Sequence, residues 1–155
     1  LRFRKWQFSL GAFSAVFHDV IIVLAIFSAF YGLLPFSLEI DQAFIAAILT
    51  IIGYSLNDTV VVFDRVREYM NSYKKKEVIE VINGALNSTL SRTINTSLTT
   101  FVVLLIIFVF GGEVIRGFMF ALMVGVIVGT YSSLFVASPI MLDTLTKKKE
   151  KLARK

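Results

Sequence analysis

Four long apolar stretches constrain the fold of this sequence more than any other feature. They cover residues 8–34, 43–63, 93–110 and 118–142. A helix needs roughly 20 apolar residues to cross the hydrocarbon core of a bilayer, and the third stretch reaches that length by extending back to residue 88. The sequence lacks the alternation that is typical of a membrane β-barrel. We therefore predict an all-α integral membrane protein with four transmembrane helices.

The composition agrees with this fold class. Hydrophobic residues make up 56% of the 155 residues, whereas a soluble domain usually contains about 45–50%. There is no cysteine, which excludes disulfides and thiolate chemistry. The sequence begins at Leu1 and shows no signal-peptide pattern, so we interpret it as a fragment of a longer polypeptide.

The basic residues predict the topology. Every lysine and arginine except Arg116 lies before the first span, between the second and third spans, or in the tail at 143–155. The only charged residues in the loop after the first span are the acids Glu39 and Asp41. The positive-inside rule therefore places both ends and the basic tail in the cytoplasm. The net charge of +5 is explained by these basic residues at the cytoplasmic side of the membrane. We therefore predict no nucleic-acid partner. The bundle covers 1–142, with spans at about 8–34, 43–63, 88–110 and 117–142.

Two acidic residues, Asp19 and Asp58, remain inside the spans. Placing an ionisable side chain in the bilayer costs free energy, so we interpret each of these two residues as a candidate functional residue. A rise of about 1.5 Å per residue places Asp58, Arg92 and His18, the neighbour of Asp19, in one layer. Such a layer suits a proton relay or a buried ion-pair network. Spans two and three run antiparallel and their side chains lean apart, so we expect a water-bridged or transient Asp58–Arg92 contact.

Each of these residues also has a structural interpretation. Asp58 could serve packing alone, and His18 with Asp19 could be a hydrogen-bonded pair that links helices. Arg92 could snorkel to the cytoplasmic surface. The segment 64–68 would then be a solvated helix end whose basic residues serve topology.

Two further patterns concern the third span. Hydroxyl and basic side chains recur at helical spacing along it, and we expect this polar stripe to point into the bundle. Its members are Thr89, Arg92, Thr93, Thr96, Thr99 and Thr100. The preceding residues 74–91 place their apolar side chains on one helical face. This pattern predicts an interfacial amphipathic helix that leads into the span.

Small residues recur every four positions along the fourth span. The members of this small-residue ridge are Gly117, Ala121, Gly125, Gly129, Ser133 and Ala137. Such a ridge allows helices to approach closely, either within this bundle or against a second one. We expect leucine to be disruptive at Gly125 and tolerated at Val126. The sequence carries no metal-ligand cluster, phosphate-binding loop or nucleophile motif, so we predict no metal, no cofactor and no enzyme activity.

The segment GYSLNDTVVVFDRVRE at 53–68 resembles a signature of the SecF family, membrane subunits that work with SecD in bacterial protein export. GAFSAVFHDV at 11–20, NSTLSRTINTSLTT at 87–100 and the stretch 109–140 also resemble this family. The resemblance fits a separate SecF chain or the SecF half of a fused SecDF. It implies that the four spans are family helices three to six. The first two helices and the extracytoplasmic domain between them are then missing.

The resemblance also implies a function. SecF belongs to the resistance-nodulation-division superfamily, whose members run on proton flux, so Asp58 is implied as the proton carrier and Arg92 as its partner. Supporting positions are His18, Asp19, Tyr54, Asn57, Thr93 and Thr96. The implied role is to use the proton motive force, with SecD and the SecYEG translocon, to assist late translocation of polypeptides across the bacterial inner membrane. Sodium coupling, a small-molecule or lipid exporter of the same superfamily, and a non-conducting assembly subunit stay open as alternatives.

Overall fold

The computed structural model describes residues 6–74 and 76–153, and every regular element in this part of the chain is helical. The elements are α1 (Trp6–Ala29), α2 (Gln42–Ser72), α3 (Val78–Phe110), α4 (Glu113–Ser132), a π-helical segment (Ser133–Ala137) and α5 (Ser138–Ala153). The basic residues at 2, 4, 5, 75, 154 and 155 that support the topology argument lie outside the described residues, as do the side chains of 148–153.

Four helices in the described part are long and apolar enough to cross a membrane. They are Trp6–Ala29, Gln42–Ser72, Val78–Phe110 and Glu113–Lys147, and the last runs through α4 and the π-helical segment into α5. The prediction of an all-α protein with four membrane-spanning helices is therefore confirmed.

The first helix is shorter than its apolar stretch. α1 ends at Ala29, and Gly32 follows with a φ of 73°, in the left-handed region that glycine adopts without strain. Pro35 then prevents a helix from resuming, because it lacks a backbone N–H and clashes with the preceding turn. Asp41 caps the N-terminus of α2, because its Oδ1 accepts a hydrogen bond of 2.8 Å from the Phe44 amide.

The third helix is longer than its apolar stretch. Residues 78–110 form one helix, so most of the segment 74–91, predicted as an amphipathic helix that leads into the third span, is continuous with that span. The apolar side chains of Val81, Ile82 and Ala85 are buried. They pack against protein, because Ile82 and Ala85 belong to the same cluster as Val66 of α2. Burial of this face inside the bundle gives the segment a reason to continue the helix of the third span.

The small-residue ridge of α4 packs against α2. A β-carbon at Gly125 would overlap Ile51, and one at Gly129 would lie 3.3 Å from the Ser55 β-carbon. These glycines therefore let the two helices approach closely. This answers the open question about the ridge at these positions, because its partner is a helix of the same bundle.

The two ends of the ridge have other partners. A β-carbon at Gly117 would lie 2.6 Å from the Ser37 carbonyl oxygen, in the loop between α1 and α2. At the other end, the carbonyl of Ala137 approaches Gly11 of α1, where an added β-carbon would lie 2.6 Å from the oxygen. The ridge thus ties α4 and the π-helical segment to α1 and to the loop that follows it.

The apolar core divides into two clusters along the helix axes. One contains Phe27 and Ile51 with side chains of α4, and we call it the Phe27 cluster. The other contains Phe8 and Phe63 with side chains of α3 and α5, and we call it the Phe63 cluster. Residues 16–22 of α1, 52–61 of α2 and 127–136 of α4 and the π-helical segment lie between the two clusters. The buried polar side chains of the bundle concentrate in this intervening layer.

Candidate functional site

Asp19 is the centre of one group of polar side chains in this layer. Its side chain is 1% exposed. Oδ2 accepts hydrogen bonds from Ser55 Oγ at 2.5 Å and from Ser132 Oγ at 2.8 Å. Oδ1 lies 3.1 Å from Nδ1 of the neighbouring His18. The carboxyl group of α1 therefore joins α2 and α4, with both oxygens hydrogen-bonded.

Asp58 of α2 has a different environment. Its carboxyl is partly buried, and its neighbours include the hydroxyls of Thr93 in α3 and Ser133 in the π-helical segment. Asp58 Oδ2 and Thr93 Oγ1 are both buried, and neither has a hydrogen-bond partner within the described residues. The approach of these two atoms is therefore looser than a hydrogen bond. A buried carboxyl oxygen without a fixed donor is costly and rare, so it marks a functional site more strongly than a satisfied one does.

Arg92 does not pair directly with Asp58. The side chain is exposed and forms no ion pair within residues 6–74 and 76–153, although its charge acts on the carboxyl of Asp58. The guanidinium instead lines a cavity of about 450 Å³ between α2 and α3, together with Asp64, Arg65 and Glu68.

Arg65 is a residue whose contacts the sequence did not indicate. Its Nε donates a hydrogen bond to Ser88 Oγ in α3 at 3.0 Å, and its NH1 donates to Glu68 Oε2 at 2.7 Å. The guanidinium also lies 4.9 Å from the centre of the Tyr69 ring. Arg65 therefore bridges α2 and α3 beside the cavity that Arg92 lines, which goes beyond the solvated helix end that its sequence context suggested.

The polar stripe of α3 divides between two environments. Thr89 and Thr93 are buried, as expected for a stripe that points into the bundle. Thr96 and Thr99, like Arg92, are exposed. The Thr96 hydroxyl donates to the Arg92 carbonyl of its own helix at 2.9 Å. The exposed part of the stripe therefore does not point into this bundle, contrary to the prediction for that part.

A third polar group links three helices nearby. Tyr54 of α2 donates a hydrogen bond of 3.1 Å to Ser97 Oγ of α3. Ser97 Oγ lies 2.6 Å from Thr130 Oγ1 of α4. The hydroxyl of Tyr54 is therefore anchored on α3 and α4, whereas Asn57 of the same helix is exposed. The structure brings Tyr54 into the polar layer and leaves Asn57 at its edge.

The serines around the two carboxyl groups were also missed by sequence reasoning. Ser55 and Ser132 hold Asp19, and Thr59 Oγ1 lies 2.9 Å from Ser133 Oγ. Ser133 had been predicted only as a member of the packing ridge. A signal was present, because Ser55 and Thr59 are four residues apart and face the same side of α2. No cluster of metal-ligating side chains occurs in the part of the chain that the structure describes.

Four apolar helices around a layer of buried carboxyl and hydroxyl groups define a multi-pass helical membrane protein. Comparison with known sequences places it within this class. Residues 1–147 match the family described as protein export membrane protein SecD/SecF, C-terminal. The chain belongs to this SecD/SecF protein-export family, which confirms the resemblance found in the sequence.

Relatives of the chain are named as SecF subunits of a protein translocase. The chain is 66% identical over 139 residues to the protein translocase subunit SecF of Rhodothermus marinus, covering 90% of this chain and 45% of that protein. It is 49% identical over 142 residues to the subunit SecF of Cereibacter sphaeroides, covering 92% of this chain and 42% of that protein. The chain therefore spans less than half the length of these relatives.

A solved structure confirms the fold. The crystal structure of SecDF in the super-membrane-facing form matches with a TM-score of 0.82 and 42% sequence identity. The match covers 96% of this chain and 20% of the SecDF chain. The four-helix arrangement is thus one found within a larger SecDF membrane protein.

Proposed function

We propose that this chain forms four helices of the membrane part of a SecF-type subunit that uses the proton motive force to assist late translocation of polypeptides across the bacterial inner membrane. Its relatives are named as protein translocase subunits, which supports the export role. The proton-coupled step is our inference from the polar layer. No covalent chemistry is part of the proposal.

The observation that carries the proposal is the contrast between Asp58 and Asp19. Both oxygens of Asp19 have hydrogen-bonding neighbours, whereas Oδ2 of Asp58 has no hydrogen-bond partner among the described residues. A carboxyl that binds and releases a proton must change its hydrogen bonds each time. Asp58 can do so with little loss, because the facing hydroxyl of Thr93 also has no hydrogen-bond partner within residues 6–74 and 76–153. We therefore assign proton binding to Asp58 and not to Asp19.

Arg92 is proposed as the partner that responds to the charge of Asp58. Its guanidinium is free to move, because it lies in the cavity between α2 and α3 without an ion pair among the described residues. Deprotonation of Asp58 would draw the cation toward the carboxylate, and protonation would release it. Thr93 and Tyr54 support this site from α3 and α2. His18 and Asp19 support it from α1, and Asn57 and Thr96 border its exposed side.

The proposed partner is a second helical bundle, SecD or the SecD half of one chain. The exposed part of the α3 stripe supports this, because Arg92, Thr96 and Thr99 lie on a membrane-spanning helix. Polar and charged side chains rarely face lipid, and a neighbouring bundle would cover them. Proton passage at Asp58 would bias the packing between the two bundles.

In the proposed orientation both ends of the chain are cytoplasmic, and SecYEG supplies the polypeptide in transit.

The test is Asp58→Asn in the full-length protein, reconstituted with its translocase. The amide nearly preserves the shape of the carboxyl but cannot exchange a proton in the physiological range. We expect the complex to assemble while both proton uptake and proton-driven export are lost. Asp143→Asn is a control that makes the same chemical change at an exposed acid of α5, outside the polar layer. Normal export by Asp58→Asn would refute the proposal, and normal export with no proton uptake by the wild type would favour an assembly subunit.

A further inference from the structure

Asp19 does not bind the proton in the step proposed above, although it is more deeply buried than Asp58. It lies on α1, and its contacts converge on one short part of α4. Ser132 Oγ donates to Asp19 Oδ2 at 2.8 Å and also lies 3.2 Å from the Gly129 carbonyl oxygen. The single hydroxyl hydrogen of Ser132 therefore has two acceptors within reach, a carboxyl and a backbone carbonyl.

The next residue repeats this arrangement toward the other carboxyl. Ser133 Oγ donates to the Gly129 carbonyl at 2.9 Å. It also lies 2.9 Å from Thr59 Oγ1 and is a neighbour of Asp58. Its one hydrogen can therefore serve either the Gly129 carbonyl or the carboxyl of Asp58. Each of these two adjacent serines can therefore hydrogen-bond either the Gly129 carbonyl or one aspartate carboxyl, Asp19 for Ser132 and Asp58 for Ser133.

The Gly129 carbonyl is the shared element, and it is crowded. Three donors reach it, namely the hydroxyls of Ser132 and Ser133 and the backbone N–H of Ser133. A carbonyl oxygen has two lone pairs, so three full hydrogen bonds cannot form together. A stronger bond from one serine must weaken the bond from the other.

The local backbone also favours a change at this point. The π-helical segment begins at Ser133, and π-turns inside helices are frequent at functional sites. The Ser138 hydroxyl donates to the Ser133 carbonyl at 3.0 Å, which stabilises the widened turn. The two serines therefore lie where the regular ladder of α4 stops and hydroxyl groups supply hydrogen bonds.

We propose that Asp19 is a positioning residue that couples to Asp58 through Ser132, the Gly129 carbonyl and Ser133. This inference rests on the proposed role of Asp58 as the proton carrier. When Asp19 holds the hydrogen of Ser132, the Gly129 carbonyl is left to Ser133. When that hold weakens, Ser132 turns to Gly129 and releases Ser133 toward Asp58.

Each of the two carboxyl groups has a defined set of charged and hydroxyl neighbours. Asp58 faces the Arg92 cation and the Thr93 hydroxyl from α3 and the Ser133 hydroxyl from the π-helical segment. Asp19 faces His18 from its own helix and the hydroxyls of Ser55 and Ser132 from α2 and α4. Ser55 and Ser132 donate to the same oxygen of Asp19, but of the two hydroxyls only that of Ser132 also reaches the Gly129 carbonyl oxygen. Ser132→Ala and Ser55→Ala are therefore a matched pair of test and control variants.

The experiment titrates Asp58 by infrared difference spectroscopy in the full-length protein, with Asp58→Asn identifying its band. Asp19→Asn is introduced alone, with Ser132→Ala and with Ser55→Ala. We expect Asp19→Asn to move the pH midpoint of Asp58 by about one pH unit, the size of one hydrogen bond to a charged group. The shift should persist with Ser55→Ala and vanish with Ser132→Ala. A shift that persists with Ser132→Ala, or no shift at all, overturns the proposal.

A second measurement needs no change at Asp19. Coupling is reciprocal, so protonation of Asp58 should perturb a second aspartate carboxylate band in the wild type and in Ser55→Ala. The perturbation should be absent in Ser132→Ala, and its absence from the wild type would also overturn the inference. Neither titration depends on transport. Normal export by Asp58→Asn would refute the proposed function alone, whereas lost export with uncoupled titrations would refute only this inference.

Discussion

Gly125 of α4 lies so close to Ile51 of α2 that a β-carbon on the glycine would overlap Cγ1 of the isoleucine and stand 2.9 Å from Cγ2. Ile51 is a fully buried member of the Phe27 cluster. The backbone of α4 therefore forms part of the surface that the isoleucine packs on. Any side chain at this position would have to move a buried residue.

Gly125→Leu should consequently destabilise the bundle. Adding bulk to a filled core typically costs about 1–3 kcal/mol, and the overlap with Ile51 favours the upper end of that range. Thermal unfolding of the purified protein in detergent measures the effect. Ile127→Leu is the matched control, because Ile127 is 57% exposed. Val126, which the sequence suggested as a tolerant neighbour, is 5% exposed and unsuitable. Equal stability of the two variants would contradict the packing argument.

Thr93→Val should reduce proton-driven export while leaving the fold intact. Valine has nearly the shape of threonine but cannot donate a hydrogen bond to Asp58. We expect a fall of roughly tenfold, which corresponds to the one hydrogen bond that Thr93 would donate to the charged carboxylate during proton exchange. Export into inverted membrane vesicles under an imposed proton gradient measures it. Thr93→Ser should retain most of the rate.

Thr50→Val controls for the loss of a hydroxyl elsewhere in the bundle. The Thr50 hydroxyl of α2 is bonded to the Ala46 carbonyl and lies on the exposed face. This variant should export close to the wild-type rate. If Thr93→Val and Thr50→Val behave alike, the hydroxyl that faces Asp58 has no special role.

Arg92→Lys should impair export even though the charge is kept. Arginine presents a planar fork of donors on a delocalised cation, whereas lysine presents a compact and strongly hydrated charge. We expect a clear loss for lysine and a larger one for Arg92→Ala, both measured in the same vesicle assay. Wild-type export by both variants would show that Arg92 only reaches the membrane surface.

The topology can be tested with single cysteines, since the sequence contains none. Ser37 lies in the loop between α1 and α2, and Ser72 is the last residue of α2. Both are exposed. A membrane-impermeant thiol reagent added to cells with a permeabilised outer membrane should label Ser37→Cys and not Ser72→Cys. The reverse pattern would invert the proposed orientation.

The sequence alone predicted the features that depend on regular spacing. Apolar length identified four spans, and the four-residue recurrence of small side chains identified the ridge. An isolated charge in an apolar run drew attention to Asp58 and Asp19. Each of these signals repeats along one helix or stands out against its neighbours, so no knowledge of the partner helix is needed.

The remaining features depend on which helices become neighbours. Ser55 and Ser132 are single serines on different helices, and nothing in either local sequence indicates that both would meet Asp19. The exposure of Thr96 beside the buried Thr93 likewise reflects which side of α3 the other helices cover. The end of α1 at Ala29 depends on backbone breakers at Gly32 and Pro35, which an average over apolar residues does not detect.

The pairing of α2 with α4 limits how these helices can move. Ile51 meets Gly125 and Ser55 meets Gly129, and both pairs have the sequence separation of 74 found for Thr59 and Ser133. The two helices run parallel in one register. A slide by one residue would break every pair, and the smallest shift that restores the spacing is four residues, about 6 Å along the axis. We therefore expect α2 and α4 to travel as a single rigid unit, or else to ratchet by a whole turn.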